Sequence, residues 1–581
     1  MLWCVFLIAL TKESNGLVTP LSRIRLEKSS SLKNVISCPP FAKRNCASLY
    51  TRLNQRRSSS LTNDDKEIIF GMTRKESRKV IPLAIIFFMV LFNYTILRDT
   101  KDVLVITAPK SGAEIIPFLK TYVNLPGAII FTIGFTALSN RYSQPQLFRG
   151  IVSSFLGFFA LFATILYPAR NFLHPNALCD TLATMLPASF AAPIAIFRNW
   201  TFSLFYMCAE LWGSVVASLL FWSLANSVMN VQEAKKYYPF FGLFANIALV
   251  FSGQFIKQVA QFRTYSAAAD PWASSLKILI GGVTIAGGIL LAGHEWLQRK
   301  VLNDPQAVDP ERVQQSRQKN TMSVPESITT LAKSSYIRDL ATLVISYGLA
   351  INIVEVTWKS KLKQQFPDPS SYAAFMGNFS SATGLITFFS MLLGRFILKR
   401  TKWTFAASIP PLTLLSTGII FFSLNLLPTA WAPLAGLLGM TPLALAVLAG
   451  AAQNIASKAT KYSLFDPCKE IAYISMDDPE QRTKGKAAVD VIGGPFGKSF
   501  GSILQQMLIL SLGSLAASTP YLGLILFLVI LNWVRAVRDL GPQVAKKQQL
   551  QPNLLPKPND VTEGSNNSSY DNNAKNQKSP L

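Results

Sequence analysis

Four charged side chains stand out in this 581-residue sequence because they lie within or at the rim of strongly apolar stretches. They are Lys101, Glu210, Glu355 and Lys498. An ionised side chain inside a lipid bilayer costs several kcal/mol unless water, a partner charge or a ligand satisfies it. Lys101 belongs to a polar run, residues 98–102, that closes the apolar stretch 81–97. We therefore interpret the four residues as parts of a site.

These residue types suit the binding of a substrate that carries several negative charges. Lysine offers a compact cation for phosphate oxygens, and its charge counts for more in a partly dehydrated cavity than in water. Arg198 is a further candidate cation. We expect Glu210 and Glu355 to pair with the lysines in an empty cavity, so that substrate phosphates compete for them and binding is coupled to rearrangement. The alternative is that each charge forms an interhelical salt bridge that only stabilises the bundle.

A glycine-rich run, Gly493 to Ser499, is close to a nucleotide-binding P-loop in composition only. The P-loop pattern requires glycine where this chain has Ile492, and the strand–loop–helix setting is missing. We therefore do not expect an ATP hydrolase. The glycines instead let helices approach closely and give Lys498 room to project into a cavity. The counterpart of Lys498 in the first half of the chain is Asn246. It is a candidate for hydrogen bonding to a base or ribose, and a role in helix packing is equally open.

The composition is that of a membrane protein. Half of the residues are hydrophobic and 15% are charged, against about 25% charged in soluble domains. Stretches of the length that spans a bilayer as a helix, roughly twenty residues, recur at 81–97, 122–139, 148–168, 200–228, 239–257, 276–297, 339–358, 372–397, 403–425, 432–455, 488–515 and 519–538. We predict an all-α polytopic membrane protein with about twelve transmembrane helices.

The long polar connection 298–337 divides these spans into two sets of six. We predict an N-terminal half at 73–297 and a C-terminal half at 338–540, two parallel six-helix halves with the ligand between them. A short internal match supports the division, because the end of the first span, from Asn93 to Lys101, is similar to the end of the seventh, from Asn352 to Lys359.

Lysine and arginine flank both ends of the set of spans, which places both termini on the cytosol-like side of the membrane. Two groups of lysines break this pattern, because they follow the first and seventh spans on the opposite side. The groups are Lys101, Lys110 and Lys120, and Lys359, Lys361 and Lys363. Topology does not explain them, so they need another role.

The two ends of the chain differ from its apolar body. Residues 1–72 are rich in arginine, lysine and serine and poor in acids, as in a transit peptide. The alternative is a disordered tail on a bacterial protein whose start is Met72. Residues 541–581 have the composition of a disordered tail.

The formal net charge of +25 does not indicate nucleic-acid binding. Much of the excess lies in the first 80 residues and in short loops, where membrane topology explains it, and no basic helix or aromatic-basic platform stands apart from the spans. Six scattered cysteines and two histidines support neither a metal site nor a disulfide framework. We expect no cofactor and no nucleic-acid partner.

Several long motifs in fixed order resemble the plastid and obligate-intracellular-bacterial ATP/ADP translocase family. The matching runs cover about 80–540 and begin at Asn93 (NYTILRDTKD), Ser111 (SGAEIIPFL), Ala209 (AELWGSVV), Ile353 (IVEVTWKSKL), Tyr372 (YAAFMGNFS), Lys461 (KYSLFDPCKE) and Lys484 (KGKAAVD). The resemblance implies ATP/ADP antiport by alternating access with a major-facilitator-like fold, and transport that depends on Lys101, Glu210, Glu355 and Lys498. It also implies a secondary transporter rather than an enzyme.

The resemblance is closer to the plastid branch of that family, which with the N-terminal composition favours a plastid (chloroplast) inner envelope membrane over a bacterial inner membrane. We expect ATP and ADP as substrates, the lipid bilayer as surroundings and a monomeric transport unit. The alternative function is a transporter of broader nucleotide specificity, or of NAD, coupled to protons through Glu210 or Glu355. One departure bears on nucleotide preference, because Phe500 stands where the family usually has glycine.

Overall fold

The computed structural model describes residues 74–262, 270–302, 334–476 and 493–550, together with Met72, Arg482, Gly485, Lys486, Val489 and Asp490. Residues 1–71 of the predicted transit peptide, most of the central loop 298–337, part of the start of the predicted eleventh span and most of the C-terminal tail lie outside these residues. From Lys75 onwards the chain forms a single unit. The described part is almost entirely helical and contains no β-strand.

In the described part of the chain, ten helices are long and apolar enough to cross a membrane, and a bent pair makes an eleventh span. Together with the helix Gly494–Leu512, which is less apolar, they are numbered in chain order as α1 (Glu76–Ile106), α2 (Ile115–Arg141), α3 (Gln144–Leu166), α4 (Trp200–Val228), α5 (Lys236–Gln261), α6 (Pro271–Leu302), α7 (Ser335–Gln365), α8 (Pro369–Arg400), α9 (Trp403–Leu426), α10 (Pro428–Leu437 with Pro442–Ile474), α11 (Gly494–Leu512) and α12 (Leu515–Lys547). The prediction of an all-α polytopic membrane protein is confirmed.

Helix α11 lies in the predicted eleventh span but is not among the helices that qualify as spans on composition. Several of its polar residues are buried against neighbouring helices. The Gln505 amide donates to the carbonyl of Asn352 at 3.0 Å, and the Gln506 amide donates to the Thr121 hydroxyl at 2.6 Å. Hydrogen bonding between helices satisfies polar groups that lipid could not, which explains how so polar a segment lies among the apolar ones.

The bend in α10 amounts to 90° between its two helices. Gly439 lies in the connection with a φ of 65°, a left-handed conformation that glycine adopts without steric cost. Pro442 is the first residue of the second helix. The N–H groups at the start of a helix have no carbonyl partner within it, so the missing N–H of proline breaks no helical hydrogen bond there. The second helix carries two half-buried lysines, Lys458 and Lys461.

Helices α1 and α7 form the centre of the bundle. In the most apolar part of each helix, 61% of α1 and 72% of α7 are buried inside the protein, whereas only 6% of α2 is buried. Helices α5 and α8 pack closely at glycines, since a Cβ at Gly377 would lie 2.6 Å from the carbonyl oxygen of Gly253. Charges on α1 and α7 are therefore surrounded by protein and need partners there.

Candidate functional site

Five side chains of alternating charge form a continuous chain through the centre of the bundle. The Lys101 ammonium lies 2.9 Å from a carboxylate oxygen of Glu210 and 2.9 Å from Oδ1 of Asp102. The Lys359 ammonium lies 2.8 Å from Oδ2 of Asp102 and 2.8 Å from Oε1 of Glu355. Asp102 therefore joins two lysines, each of which also holds a glutamate.

Local helix geometry aims these groups at one another. Glu355 and Lys359 are four residues apart on α7 and so share one face of the helix. Lys101 and Asp102 are adjacent near the C-terminal end of α1. Glu210 lies two residues before a π-helical segment, Trp212–Leu220, within α4. Such segments widen the helix locally and occur often at functional sites.

Burial differs along this chain of charges. The side chains of Lys101, Lys359 and Asp102 are at most 4% exposed, whereas those of Glu210 and Glu355 are 40% and 35% exposed. The Lys101 ammonium also lies 3.8 Å from the ring centroid of Tyr206. Each buried lysine thus has an accessible carboxylate as one of its partners, and an anion that arrives from the open side can compete with that carboxylate.

A third lysine lies beside this chain of charges. The Lys120 ammonium donates to Oδ1 of Asn352 at 2.6 Å and interacts electrostatically with Glu355 and Glu210. Lys120 begins a π-helical turn of α2. Its position accounts for a positive charge that topology did not explain, and the same holds for Lys359.

A second ion pair lies on α1 one turn before Lys101. The guanidinium of Arg98 donates through Nε to Asp99 at 3.0 Å and through Nη2 to the Ser380 hydroxyl at 2.9 Å. That hydroxyl donates in turn to Asp99 at 2.6 Å. Ser380 belongs to α8, so this ion pair also connects the two predicted halves of the chain.

The structure brings together three of the four charged residues that the sequence singled out. Lys101 contacts Glu210 directly and reaches Glu355 through Asp102 and Lys359. Lys498 is instead exposed near the N-terminal end of α11. The ammonium of Lys498 forms no ion pair with any described residue. Its backbone carbonyl accepts a hydrogen bond of 2.9 Å from the Asn352 amide, so its main chain adjoins the partner of Lys120.

Arg198 lies away from these charges, at the end of a short helix between α3 and α4. It donates to Asp180 at 2.6 Å, and Lys110 donates to the same carboxylate oxygen at 2.6 Å. The two hydrogen bonds hold the pKa of Asp180 below its usual range. Arg198 is therefore not brought into contact with Lys101, contrary to the cavity that the sequence suggested.

Asn246 lies in the interface between α5 and α8. Its amide donates to the carbonyl of Gly242 at 2.9 Å and contacts the sulfur of Met391 at 3.3 Å. These contacts correspond to helix packing, one of the two roles expected for it. Phe500 stacks on Phe496 with ring centroids 5.8 Å apart, and both rings are exposed on α11.

Asp102 and Lys359 are the residues that sequence reasoning undervalued. Asp102 belongs to the same charged run as Lys101, and Lys359 is one of the lysines that follow the seventh span on the unexpected side. The spacing of Glu355 and Lys359 was the available signal, because two opposite charges four residues apart on an apolar helix pair readily. No local signal indicates that Asp102 reaches across to Lys359.

The arrangement of the helices has a counterpart among solved membrane-protein structures. The structure is similar to that of a bacterial homologue of the iron transporter ferroportin in an inward-facing state, with a TM-score of 0.53 and 13% identity over 81% of this chain and 98% of the other. The two chains therefore share a fold of membrane-spanning helices.

The chain belongs to the TLC ATP/ADP transporter family, whose profile matches residues 55–544. It is 52% identical to ADP,ATP carrier protein 1, chloroplastic, of Arabidopsis thaliana over 82% of this chain and 75% of that protein. It is 46% identical to ADP,ATP carrier protein 1 of Chlamydia trachomatis over 84% and 93%, and 38% identical to ADP,ATP carrier protein 1 of Rickettsia bellii over 84% and 98%. The predicted family is confirmed, and the protein is a transporter rather than an enzyme.

Proposed function

We propose that this protein exchanges ATP for ADP across a membrane by alternating access, with no chemical change to the nucleotide. The observation that carries the proposal is the alternating chain of charges at the centre of a protein of this family. Relatives named ADP,ATP carriers in plants, Chlamydia and Rickettsia favour adenine nucleotides over the broader-specificity alternative.

Lys101, Lys120 and Lys359 are the cations that we assign to the nucleotide phosphates. Glu210 and Glu355 compensate them while the site is empty, and phosphate oxygens displace these glutamates on binding. Because the lysines lie on helices of both predicted halves, displacement of the glutamates by phosphate changes the attraction between the halves. We also assign Lys498, which lies on α11, to the phosphates of the same nucleotide.

We further propose a plastid inner envelope location, a monomeric transport unit and phosphate transport alongside ADP. The location is supported by the composition of residues 1–72 and by the chloroplast relatives. The bacterial relatives leave a bacterial inner membrane as the alternative location.

The exchange is tested by uptake of labelled ATP into vesicles that contain the purified protein. Uptake is expected to be fast into vesicles preloaded with ADP and slow into empty vesicles, since an antiporter needs a counter-substrate to return. Equal uptake into empty vesicles, driven by a proton gradient, would contradict the exchange and support the proton-coupled alternative.

The assigned lysines are tested by Lys101→Gln and Lys498→Gln, each expected to reduce ATP uptake at least about tenfold, as removal of a charge-assisted contact should. The matched control is Lys277→Gln, which removes an exposed lysine from α6 and is expected to leave uptake unchanged. Uptake at the wild-type rate in a correctly inserted variant would indicate that the lysine has a structural role and does not bind the phosphates.

A further inference from the structure

Two positive side chains from the two predicted halves contact neighbouring residues of α8. They are Arg98 on α1, which donates to the Ser380 hydroxyl at 2.9 Å, and Lys458 on α10. The Lys458 ammonium lies 4.9 Å from the ring centroid of Phe379 on α8. Its side chain is half-buried, so it is accessible from one side.

The carboxylates near Lys458 are already paired with other cations. Glu355 and Asp99 both interact with it electrostatically. However, Glu355 holds Lys359 at 2.8 Å, and Asp99 is held by both Arg98 and Ser380. Among the described residues, no carboxylate lies within ion-pair distance of the Lys458 ammonium. Lys458 therefore adds one positive charge beside two ion pairs that are neutral in sum.

Arg98 also keeps part of its binding capacity. Its Nε and Nη2 groups donate to Asp99 and Ser380, whereas Nη1 makes no hydrogen bond to a described residue. The Arg98 side chain is 20% exposed. A guanidinium edge next to a free ammonium is an arrangement that binds phosphate oxygens well.

We propose that Lys458 and Arg98 form a phosphate-binding pair for the transported nucleotide, in addition to the lysines of the alternating chain. This inference rests on the proposed function, because the anion is the polyphosphate of the substrate. In the empty protein the two cations repel each other, and a phosphate between them attracts both. Since they belong to different halves, substrate binding at this pair draws α1 and α10 together.

The competing explanation is that Lys458 only packs over Phe379, a cation–π contact that would stabilise α8 against α10. The two roles differ in their dependence on the substrate. A packing role predicts that loss of the ammonium affects all nucleotides alike, whereas phosphate binding predicts a loss that grows with the charge of the nucleotide.

The test compares Lys458→Gln, Lys458→Arg and a matched control, Lys461→Gln, in vesicles preloaded with ADP. Lys461 lies three residues further along α10, and its ammonium is already paired with Asp466 at 2.7 Å. We expect Lys458→Gln to raise the KM for ATP about tenfold and to weaken competition by ATP most, by ADP less and by AMP least. Lys458→Arg is expected to restore most of the affinity, and Lys461→Gln to leave the KM for ATP unchanged.

A KM for ATP within about twofold of wild type in Lys458→Gln, or an equal loss for ATP, ADP and AMP, would overturn the proposal. If Lys458→Gln does not insert, Lys458→Cys is alkylated with and without ATP. We then expect ATP to protect the cysteine from alkylation. We also expect aminoethylation, which restores an ammonium, to recover uptake. The absence of both effects would likewise overturn the proposal. Failure of the wild-type protein to exchange ATP and ADP would instead contradict the proposed function itself.

Discussion

Asp102 is the residue on which the central charges depend. Its two carboxylate oxygens accept from two different lysines, Lys101 on α1 and Lys359 on α7, and its side chain is 2% exposed. A buried carboxylate that joins two cations stabilises them only while all three are present, because an orphaned buried charge is costly. We therefore treat Asp102 as the group that holds α1 against α7.

Asp102→Asn should destabilise the protein by about 3–5 kcal/mol, the cost of breaking a buried ion pair, measured as thermal unfolding in detergent. The double variant Asp102→Asn with Lys359→Met is expected to cost less than the sum of the two single variants, since both single variants break the same Asp102–Lys359 ion pair. A single variant as stable as wild type would show that water already satisfies these lysines.

Asp180 gives a prediction on pH, because it lies outside the membrane spans. Hydrogen bonds from Lys110 and Arg198 lower its pKa in the folded protein. A lowered carboxyl pKa contributes stability above the unfolded pKa of about 3.9, and this contribution is lost as the pH falls through the folded pKa. Asp180→Asn should therefore lower the melting temperature at pH 7 and have less effect near pH 3. An equal effect at both values would contradict this role.

At the scale of helices, the contact between α5 and α8 is decided by glycine. A Cβ at Gly377 would lie 2.6 Å from the carbonyl oxygen of Gly253 and 2.8 Å from the backbone nitrogen of Lys257. Backbone atoms cannot move away as a flexible side chain can. The close approach of these two helices therefore requires glycine at this position.

Gly377→Ala is expected to lower the melting temperature and the exchange rate, because α8 must move away from α5. Gly288→Ala is the control, since a Cβ at Gly288 on α6 meets no atom within 4 Å. That control should be neutral or slightly stabilising, as alanine favours the helix over glycine. Equal behaviour of the two variants, measured by thermal unfolding and ATP uptake, would count against the close packing of α5 and α8.

At the scale of the whole molecule, the N-terminal extension and the membrane body should be separable. A chain that begins at Met72 contains every helix described above, so it is expected to exchange ATP and ADP when produced in bacterial membranes. The same truncation should abolish import into isolated plastids, because residues 1–72 have the composition of the targeting signal. Import without these residues would contradict the transit-peptide prediction.

Much of the fold could be predicted from the sequence because hydropathy is a local property. The predicted spans reappear as helices, and the family could be identified from motifs such as the run at Asn93. Two features differ from the prediction. They are the bend in α10 and the number of helices that are apolar enough to qualify as spans. The break near Gly439 divides the tenth span, and Lys498, Gln505 and Gln506 make the eleventh too polar to qualify.

The sequence by itself indicated that charges within apolar helices must meet partners, since an ionised group in a membrane needs a partner wherever it lies. Only the tertiary structure decided which charges meet. Asp102 and Lys359 are 257 positions apart, and Arg198 turns to Asp180 rather than to Lys101. The rotation of each helix and the packing of α1 against α7 set these directions, and neither can be read from residue type or spacing along one helix.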